Sequence, residues 1–335
     1  MDIGNLGFLR ANFNEKMATR DAYGEALVQM GRDNPQVVVL DADLCGSTRT
    51  QLFAEAFPQR FFEAGIAEAN MMGMAAGLAK SGKIPFASSY AVFASGRAFD
   101  QIRMAVCYSQ SNVKIVATHA GISVGADGAS HQGTEDLALM LALPGMAVVV
   151  PADGVETKKA VRAMAEHVGP VYLRLGRIKV PLLFNADYPF QIGQAVMLRD
   201  GREATVIACG LLVAEALRAA GLLAQHGITV RVLNMSTLKP LDKAAVIAAA
   251  RETGAIVTAE EHQFHGGLGS TVAQVVAAAC PVPMGFVAIK DTFGESGKPL
   301  ELLAKYGLTT ADIVREVERV VLMKRGRITP QQTAE

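Results

Sequence analysis

The stretch Val113-Lys-Ile-Val-Ala-Thr118 and the segment behind it, His119-Ala-Gly-Ile-Ser-Val-Gly-Ala-Asp-Gly-Ala-Ser-His131, decide the fold class of this chain. A β-branched run of this length predicts a buried strand. In open α/β folds, ligands bind at the carboxyl ends of the parallel strands. The glycine-rich segment carries two histidines and one aspartate, which bind hydroxyls and exchange protons near neutral pH. A surface turn with solvated side chains is the alternative, but the convergence of three polar groups favours a binding site.

The rest of the chain alternates strand-like and helix-like segments, which predicts an α/β fold with a parallel sheet covered by helices on both faces. The segments around the deciding stretch are strands at Val37–Leu40, Ile84–Ser88 and Val171–Leu175 and a helix at Gly96–Cys107. A second, smaller α/β unit follows the Pro- and Asn-containing stretch Pro181–Pro189. We therefore predict a first domain at residues 1–188, a second domain at 189–325 and a flexible polar tail at 326–335.

Composition and charge argue against several classes of protein. Lys plus Arg and Asp plus Glu number 32 each, so no strong net field attracts nucleic acid or an anionic membrane. Apolar runs are interrupted before they reach membrane-spanning length, and residues 1–16 lack the apolar core of a secretory signal. Four cysteines without a CxxC pair predict buried free thiols in a reducing cytoplasm.

Three generic motifs are better explained by structure than by chemistry. Gly121-Ile-Ser-Val-Gly125 fits the nucleophile-elbow pattern, but that motif needs a helix directly after the serine, and a loop is predicted here. Gly266-Gly-Leu-Gly269 resembles part of a dinucleotide fingerprint without its third glycine, which favours a tight strand-to-helix turn. His262 and His265 are too few to indicate a metal site, and a structural or interface role is favoured.

Glu68 lies in the stretch Glu63-Ala-Gly-Ile-Ala-Glu-Ala-Asn70, at the start of an apolar helix predicted over Met71–Leu78. A carboxylate in the first turn of a helix is stabilised by the helix dipole. The local pattern alone therefore favours a structural role for Glu68.

Six stretches carry a resemblance to a known family: Ala18-Thr-Arg20-Asp-Ala-Tyr23, Leu40-Asp-Ala-Asp43-Leu44, Gly65-Ile-Ala-Glu68, Thr118-His119, Asp127-Gly-Ala-Ser-His131-Gln132 and Glu260-Glu-His262. Through them the chain from Met17 to Leu322 resembles the C-terminal part of transketolases. It is most similar to the short bacterial chains that form the second subunit of a two-chain enzyme. The resemblance implies a thiamine-diphosphate-binding fold, in which a pyrimidine-binding domain is followed by a smaller α/β C-terminal domain.

The resemblance assigns five residues to the cofactor. Glu68 matches the glutamate whose carboxyl group hydrogen-bonds N1′ of the aminopyrimidine and so activates thiamine diphosphate. Phe93 matches the aromatic residue that stacks on the pyrimidine ring, and Tyr90 is a second candidate for that wall. Asp43 and Ile66 match further positions on the cofactor side.

The same resemblance implies a site for a sugar phosphate. His131 should face the reacting carbonyl, Asp127 should bind a hydroxyl near the cleaved bond, and His119 should lie further out, near the phosphate. An arginine suits the phosphate because its planar fork can hold two oxygens. The predicted substrate-binding residues are His119, Asp127, His131, Arg20, Ser47 and Arg177, and the predicted catalytic residues are Glu68, His131 and His119.

The diphosphate site is the part of the family's machinery that this sequence lacks. Relatives that act alone carry it on an N-terminal domain with a Gly-Asp-Gly motif followed by an Asn, and the chain has no such motif. We therefore expect no metal site in this chain and an N-terminal partner subunit that binds the diphosphate and Mg²⁺. The complete enzyme would be a heterotetramer of the A₂B₂ type, built around a dimer of this chain.

The sequence thus predicts transfer of a two-carbon ketol unit from a ketose phosphate to an aldose acceptor. Two other enzyme activities share the fold and the activating glutamate, those of a 2-oxoacid dehydrogenase β subunit and of a deoxyxylulose-phosphate synthase. A non-catalytic structural or regulatory subunit is the alternative from another class. The retained histidines and arginines favour ketose phosphates, and Glu68 argues against the non-catalytic alternative.

Overall fold

The computed structural model of the protein describes residues 6–326. All of the predicted tail except Gly326 lies outside the described residues. Within them, no helix has the length and apolar character that crossing a membrane requires.

Strands and helices alternate along most of the chain. The strands are β1 (Leu9–Ala18), β2 (Val37–Asp41), β3 (Phe61–Glu63), β4 (Ile84–Tyr90), β5 (Lys114–Thr118), β6 (Ala147–Val149), β7 (Val171–Arg174), β8 (Lys179–Phe184), β9 (Val196–Arg199), β10 (Ala204–Ala208), β11 (Val230–Asn234), β12 (Thr237–Lys239), β13 (Ile256–Gln263) and β14 (Met284–Ile289). The helices are α1 (Thr19–Asp33), α2 (Cys45–Thr48), α3 (Gln51–Ala56), α4 (Glu68–Lys80), α5 (Phe99–Gln101), α6 (Asp136–Ala142), α7 (Gly154–Glu166), α8 (Leu212–Gln225), α9 (Lys243–Thr253), α10 (Leu268–Ala279), α11 (Pro299–Lys305) and α12 (Thr310–Lys324). The predicted α/β class is confirmed.

The first sheet has seven strands in the order β12-β6-β7-β5-β4-β2-β3, and six of them are parallel. Every residue of β2, β5 and β7 is buried, as expected of parallel strands with both faces covered. Side chains of α1 and α7 share one apolar cluster with one face of this sheet. Side chains of α4 and α6 share another cluster with the opposite face. The predicted covering by helices on both faces is therefore confirmed.

The second sheet has the order β14-β13-β10-β11-β9, in which only β9 is antiparallel. One face packs against α8 and α12. The other face packs against α9 and α10, whose apolar side chains join the cluster that also contains α4 and α6. The two units therefore share a continuous hydrophobic core.

Three features differ from the sequence-based expectations. Pro181 lies in β8, which pairs antiparallel with β1 as a separate two-stranded ribbon, where a proline is tolerated because the strand has an unpaired edge. The helix predicted at Gly96–Cys107 is divided, since π-helical segments at Phe93–Arg97 and Ile102–Tyr108 flank α5. Strand β12, from the second unit, pairs with β6 in the first sheet. The domain boundary near residue 188 stays a prediction.

Candidate active site

The residues His119 to His131 form a loop at the carboxyl end of β5, and we refer to it as the histidine loop. His119 opens the loop with a positive φ of 54° and is buried against Tyr90, with ring centroids 3.8 Å apart. Its Nε2 lies 3.0 Å from Nη1 of Arg20, and its Nδ1 lies 2.9 Å from the hydroxyl of Thr118. Because arginine can only donate, Nε2 accepts and the proton is on Nδ1. Burial, then the cations of Arg20 and Arg177, lower the pKa of His119 to about 3, so the ring is neutral.

An aromatic wall connects the histidine loop to the segment behind β4. Tyr90, the last residue of β4, stacks on Phe93 with a centroid distance of 5.8 Å and an interplanar angle of 9°. His131 meets the ring of Phe93 edge-on at 5.3 Å, and its Nδ1 lies 2.9 Å from the hydroxyl of Ser130. The structure thus brings His119, Tyr90, Phe93 and His131 together.

Glu68 is the first residue of α4, as the sequence predicts, and its side chain is only 4% exposed. Its Oε1 lies 3.2 Å from Nη1 of Arg97, and the guanidinium of Arg97 lies 4.2 Å above the ring centroid of Phe93. A guanidinium over an aromatic face gains both ionic and cation–π attraction. Arg97 therefore ties the buried carboxylate to the aromatic wall.

Three arginines lie close enough to His119 for their charges to act on it, namely Arg20, Arg177 and Arg49. Nη1 of Arg20 donates to the carbonyl of Ser47 at 3.0 Å, while its buried Nε has no hydrogen-bond partner within residues 6–326. Nη1 of Arg177 lies 3.3 Å from Oδ2 of Asp127. Burial, and then the charge of Arg49, lower the pKa of Arg20, while the carboxylate of Asp21, which accepts a 2.6 Å hydrogen bond from Nε of Arg49, opposes that shift.

The remaining predicted cofactor positions lie at the surface. Ile66 is 75% exposed, and Asp43 is exposed with a positive φ of 60°. The N–H of Asp43 donates to Oε1 of Glu63 at 2.7 Å.

Two residues of this region escaped the sequence analysis. Arg97 follows Phe93 by four residues, a spacing that places two side chains on one face of a helix. Arg49 follows the predicted phosphate residue Ser47 by two positions. Both signals are weak, because an isolated arginine on a helix or a turn is ordinarily a solvated charge.

The nucleophile-elbow-like motif and the glycine-rich motif before α10 fold as their structural interpretations predict. A 3₁₀ turn at Ile122–Val124 holds Ser123 and is followed by a loop, not the helix of a nucleophile elbow. The carboxylate of Glu260 accepts the N–H groups of Leu268 and Gly269, both at 2.7 Å, so a side chain occupies the start of α10. His262 is buried, and no metal-binding group of three His, Cys, Asp or Glu residues occurs in the described part of the chain.

Two family models match the sequence. The first, the transketolase pyrimidine-binding domain, matches residues 15–181, and the second, the transketolase C-terminal domain, matches residues 193–313. The chain belongs to the transketolase family. The recognised family and the fold of a pyrimidine-binding unit followed by a C-terminal unit are thereby confirmed.

Its relatives among transketolases include proteins of similar length. A putative transketolase C-terminal section from Methanocaldococcus jannaschii is 48% identical over 301 residues, which cover 89% of this chain and 94% of the relative. The 6-deoxy-6-sulfo-D-fructose transketolase subunit SqwH from a Clostridium species is 42% identical, and the match covers 92% and 96% of the two chains. A solved structure described as a split-gene transketolase, an inactive β4 tetramer, aligns with a TM-score of 0.87 at 54% identity and covers 92% of this chain and 100% of that one.

Proposed function

We propose that this chain is the C-terminal subunit of a two-chain transketolase, which transfers a two-carbon ketol unit from a ketose phosphate to an aldose acceptor. The observation that carries the proposal is a buried carboxylate, Glu68, which Arg97 joins to an aromatic wall that leads to His119 and Arg20. Membership of the transketolase family supports ketol transfer in general, and the arrangement of the site residues supports the proposed cofactor and the phosphorylated substrate.

The residues present suit thiamine diphosphate. Phe93 would stack on an aminopyrimidine after the guanidinium of Arg97, now 4.2 Å from its ring centroid, moves aside, and Tyr90 would support Phe93 from behind. The carboxyl group of Glu68 would hold the proton at N1′ of that ring. The bound cofactor would supply the nucleophilic carbon and the electron sink for cleaving the C2–C3 bond of the ketose. In this structure Glu68 pairs with Arg97. That ion pair would have to loosen for the carboxyl group to reach the aminopyrimidine ring. Asp43 and Ile66 stay proposals for the rim of this site, since both are exposed.

The histidine loop and the arginines suit a sugar phosphate. His131 and Asp127 would bind hydroxyls near the cleaved bond. The neutral His119 would accept a hydrogen bond from the substrate at Nε2 once the contact of that atom with Arg20 opens. Nε of Arg20 is buried and makes no hydrogen bond in the described chain, where its nearest carboxylate oxygen, Oδ1 of Asp21, lies 4.0 Å away, and a phosphate oxygen would supply the missing acceptor. Arg177 would contribute a second guanidinium, and Ser47 would lie beside them.

A partner chain should complete the site. The sequence has no Gly-Asp-Gly motif, and a metal-binding cluster is absent from residues 6–326. The names of similar proteins refer to a C-terminal section, a transketolase subunit and a split gene, which supports a division of the enzyme into two chains. We therefore propose an N-terminal subunit that binds the diphosphate and Mg²⁺, in an A₂B₂ assembly built on self-association of this chain. A cytoplasmic location stays a prediction.

Replacement of Glu68 by glutamine in the assembled complex tests the function. The variant keeps the size of the side chain but cannot share an acid proton with N1′, so we expect kcat to fall ~10²–10⁴-fold. Glu166→Gln, at a 73% exposed side chain, is the matched control and should keep full activity. The assay follows ketol transfer from xylulose 5-phosphate with the partner, Mg²⁺ and cofactor present, and with this chain alone.

Each outcome of this assay decides one alternative. Full activity of the Glu68→Gln complex would favour a non-catalytic subunit. The same complex is also assayed with pyruvate, and decarboxylation of pyruvate without ketol transfer would favour a 2-oxoacid dehydrogenase or deoxyxylulose-phosphate synthase activity. Full turnover by the isolated chain would refute the need for a partner.

A further inference from the structure

We propose that the second unit positions the histidine loop, and that the carboxylate of Glu261 is the group that does so. Glu261 lies in β13 of the second sheet and is buried. Its Oε1 accepts a 2.6 Å hydrogen bond from the backbone N–H of Ser123, inside the loop. The proposal rests on the proposed function only in assigning this loop to the substrate. The attachment of the loop to β13 does not depend on that assignment.

The backbone of the loop is shaped to receive this carboxylate. Gly121 has a φ of +79°, in the left-handed region that favours glycine. A Cβ atom on Gly121 would lie 2.3 Å from Cδ of Glu261, well inside the contact distance of real side chains. Any other residue at position 121 would therefore displace the carboxylate or the loop.

Two further contacts hold the loop from the same unit. The side-chain amide of Gln132 donates to the carbonyl of Glu295 at 2.9 Å, and the hydroxyl of Ser296 donates to the carbonyl of Ala126 at 2.6 Å. Ala126 directly precedes Asp127, and Gln132 directly follows His131. The second unit thus contacts the chain on either side of Asp127 and His131, two of the residues assigned to the sugar.

Glu261 has the properties of a positioning residue. Within the described chain, no hydrogen bond joins its side chain to His119, Asp127 or His131, so it acts on them through the backbone of the loop. The N–H of Ser123 would lose its acceptor if this carboxylate were removed. Leaving a buried donor unpaired raises the free energy of the folded loop, and the usual penalty makes local opening ~5- to 100-fold more frequent. None of the residues predicted for the site lies in the second unit. The hydrogen bond between Glu261 and Ser123 would therefore be a means by which the second unit affects the reaction.

Hydrogen exchange and steady-state kinetics on the assembled complex test the proposal. Glu261→Ala should speed amide exchange in peptides covering residues 121–132 by at least ~5-fold. It should also raise the KM for the ketose phosphate by ~10-fold while changing kcat and cofactor affinity less than ~3-fold. Glu261→Gln keeps an acceptor for the N–H of Ser123 and should restore most of the protection. Ser296→Ala, at an exposed side chain, removes one contact without a buried charge and should show a smaller increase in exchange.

Glu260→Gln is the matched control, because Glu260 is a buried glutamate in the same strand that binds the start of α10 instead of the loop. It should leave exchange of the loop unchanged. The proposal is overturned if Glu261→Ala leaves exchange and KM unchanged, or if exchange rises equally throughout the second unit. If the wild-type complex shows no ketol transfer, the proposed function fails, while the exchange result still decides the role of Glu261.

Discussion

Replacing Arg174 with methionine removes the cation of a buried ion pair at the junction of the two units. The side chains of Arg174 and Asp136 are 5% and 0% exposed. Nε of Arg174 lies 3.1 and 2.9 Å from the two carboxylate oxygens, and Nη2 lies 3.0 Å from Oδ1. Nη2 also donates to the carbonyls of Gly133 and Glu261, so one guanidinium joins β7, the segment directly after the histidine loop and β13.

The expected loss of stability follows from the carboxylate that remains. Removing one partner of a buried ion pair leaves an uncompensated charge, which costs about 3–5 kcal/mol. The two carbonyls lose their donor, which adds about 1 kcal/mol. Methionine fills much of the same volume and leaves little cavity. We therefore expect Arg174→Met to lower the free energy of unfolding by about 5 kcal/mol at pH 7.

The pH dependence of this loss has a definite sign. Burial alone raises the pKa of Asp136, but the attraction of Arg174 overcomes it, and the pKa lies below its ordinary value. In the wild type, the stabilisation from Asp136 is present above the unfolded pKa, ~3.9, and is lost as the pH falls through the lower folded value. In the variant, burial is opposed only by the charge of His262 and the hydroxyl of Tyr172, without the stronger attraction of Arg174, so the pKa of Asp136 rises relative to the wild type. The difference between the two proteins should therefore shrink from pH 7 to pH 4.

Urea unfolding followed by far-ultraviolet circular dichroism measures both effects, since the chain has no tryptophan. The chain concentration has to be equal in all samples, because self-association stabilises the folded state by mass action. Arg162→Met is the matched control. Its guanidinium is 70% exposed and lies 3.7 Å from Glu166, so the change should be below ~0.5 kcal/mol. A loss under ~1 kcal/mol for Arg174→Met, or an equal loss at both pH values, would refute the reasoning.

Two further predictions concern buried titrating groups. His119 should stay neutral with its proton on Nδ1 from pH 5 to pH 9, because burial and the charges of two arginines lower its pKa to about 3. The ¹⁵N chemical shifts of its ring measure this. A titration of those shifts with a midpoint near pH 6.5 would contradict the prediction. Burial raises the pKa of Glu156 to about 7, so its stabilisation is full below the unfolded pKa of 4.5 and is lost as the pH rises through 7. Glu156→Gln should reduce the fall in unfolding free energy between pH 4.5 and pH 8 by up to ~3 kcal/mol, and an unchanged fall would contradict the assignment.

The central strands of the fold could be predicted from the sequence, whereas its irregular pairings could not. Strands buried on both faces have continuous β-branched runs, and β2, β4, β5 and β7 all begin within a residue of their predicted starts. Strand β1 carries a mixed polar sequence, because its pairing with β8 depends on residues far along the chain. The three residues of β12 are too few for a period to be visible.

In the candidate site too, some residues could be predicted from the sequence and others could not. The histidine loop could be located from local physics, because a glycine-rich polar segment directly follows a buried strand. Glu68 needed the family resemblance, since a carboxylate at the start of a helix is common without catalysis. Arg97 carries only the weak signal of its four-residue spacing from Phe93, and Glu261 lies in a stretch that carries the family resemblance but gives no sign of a contact with the loop. Their roles come from contacts with Phe93 and Ser123, which only tertiary structure brings near them.

Strand β12 has a consequence for how the protein is made. During synthesis β6 leaves the ribosome more than eighty residues before Thr237, the first residue of its outer partner. Until then, or in a fragment that ends at residue 188, the short apolar strand Ala147–Val149 has an open edge. Such an edge is a template for pairing with other nascent copies. The first unit therefore completes its sheet only after part of the second has emerged, and cutting the chain at its apparent boundary should yield an aggregation-prone product.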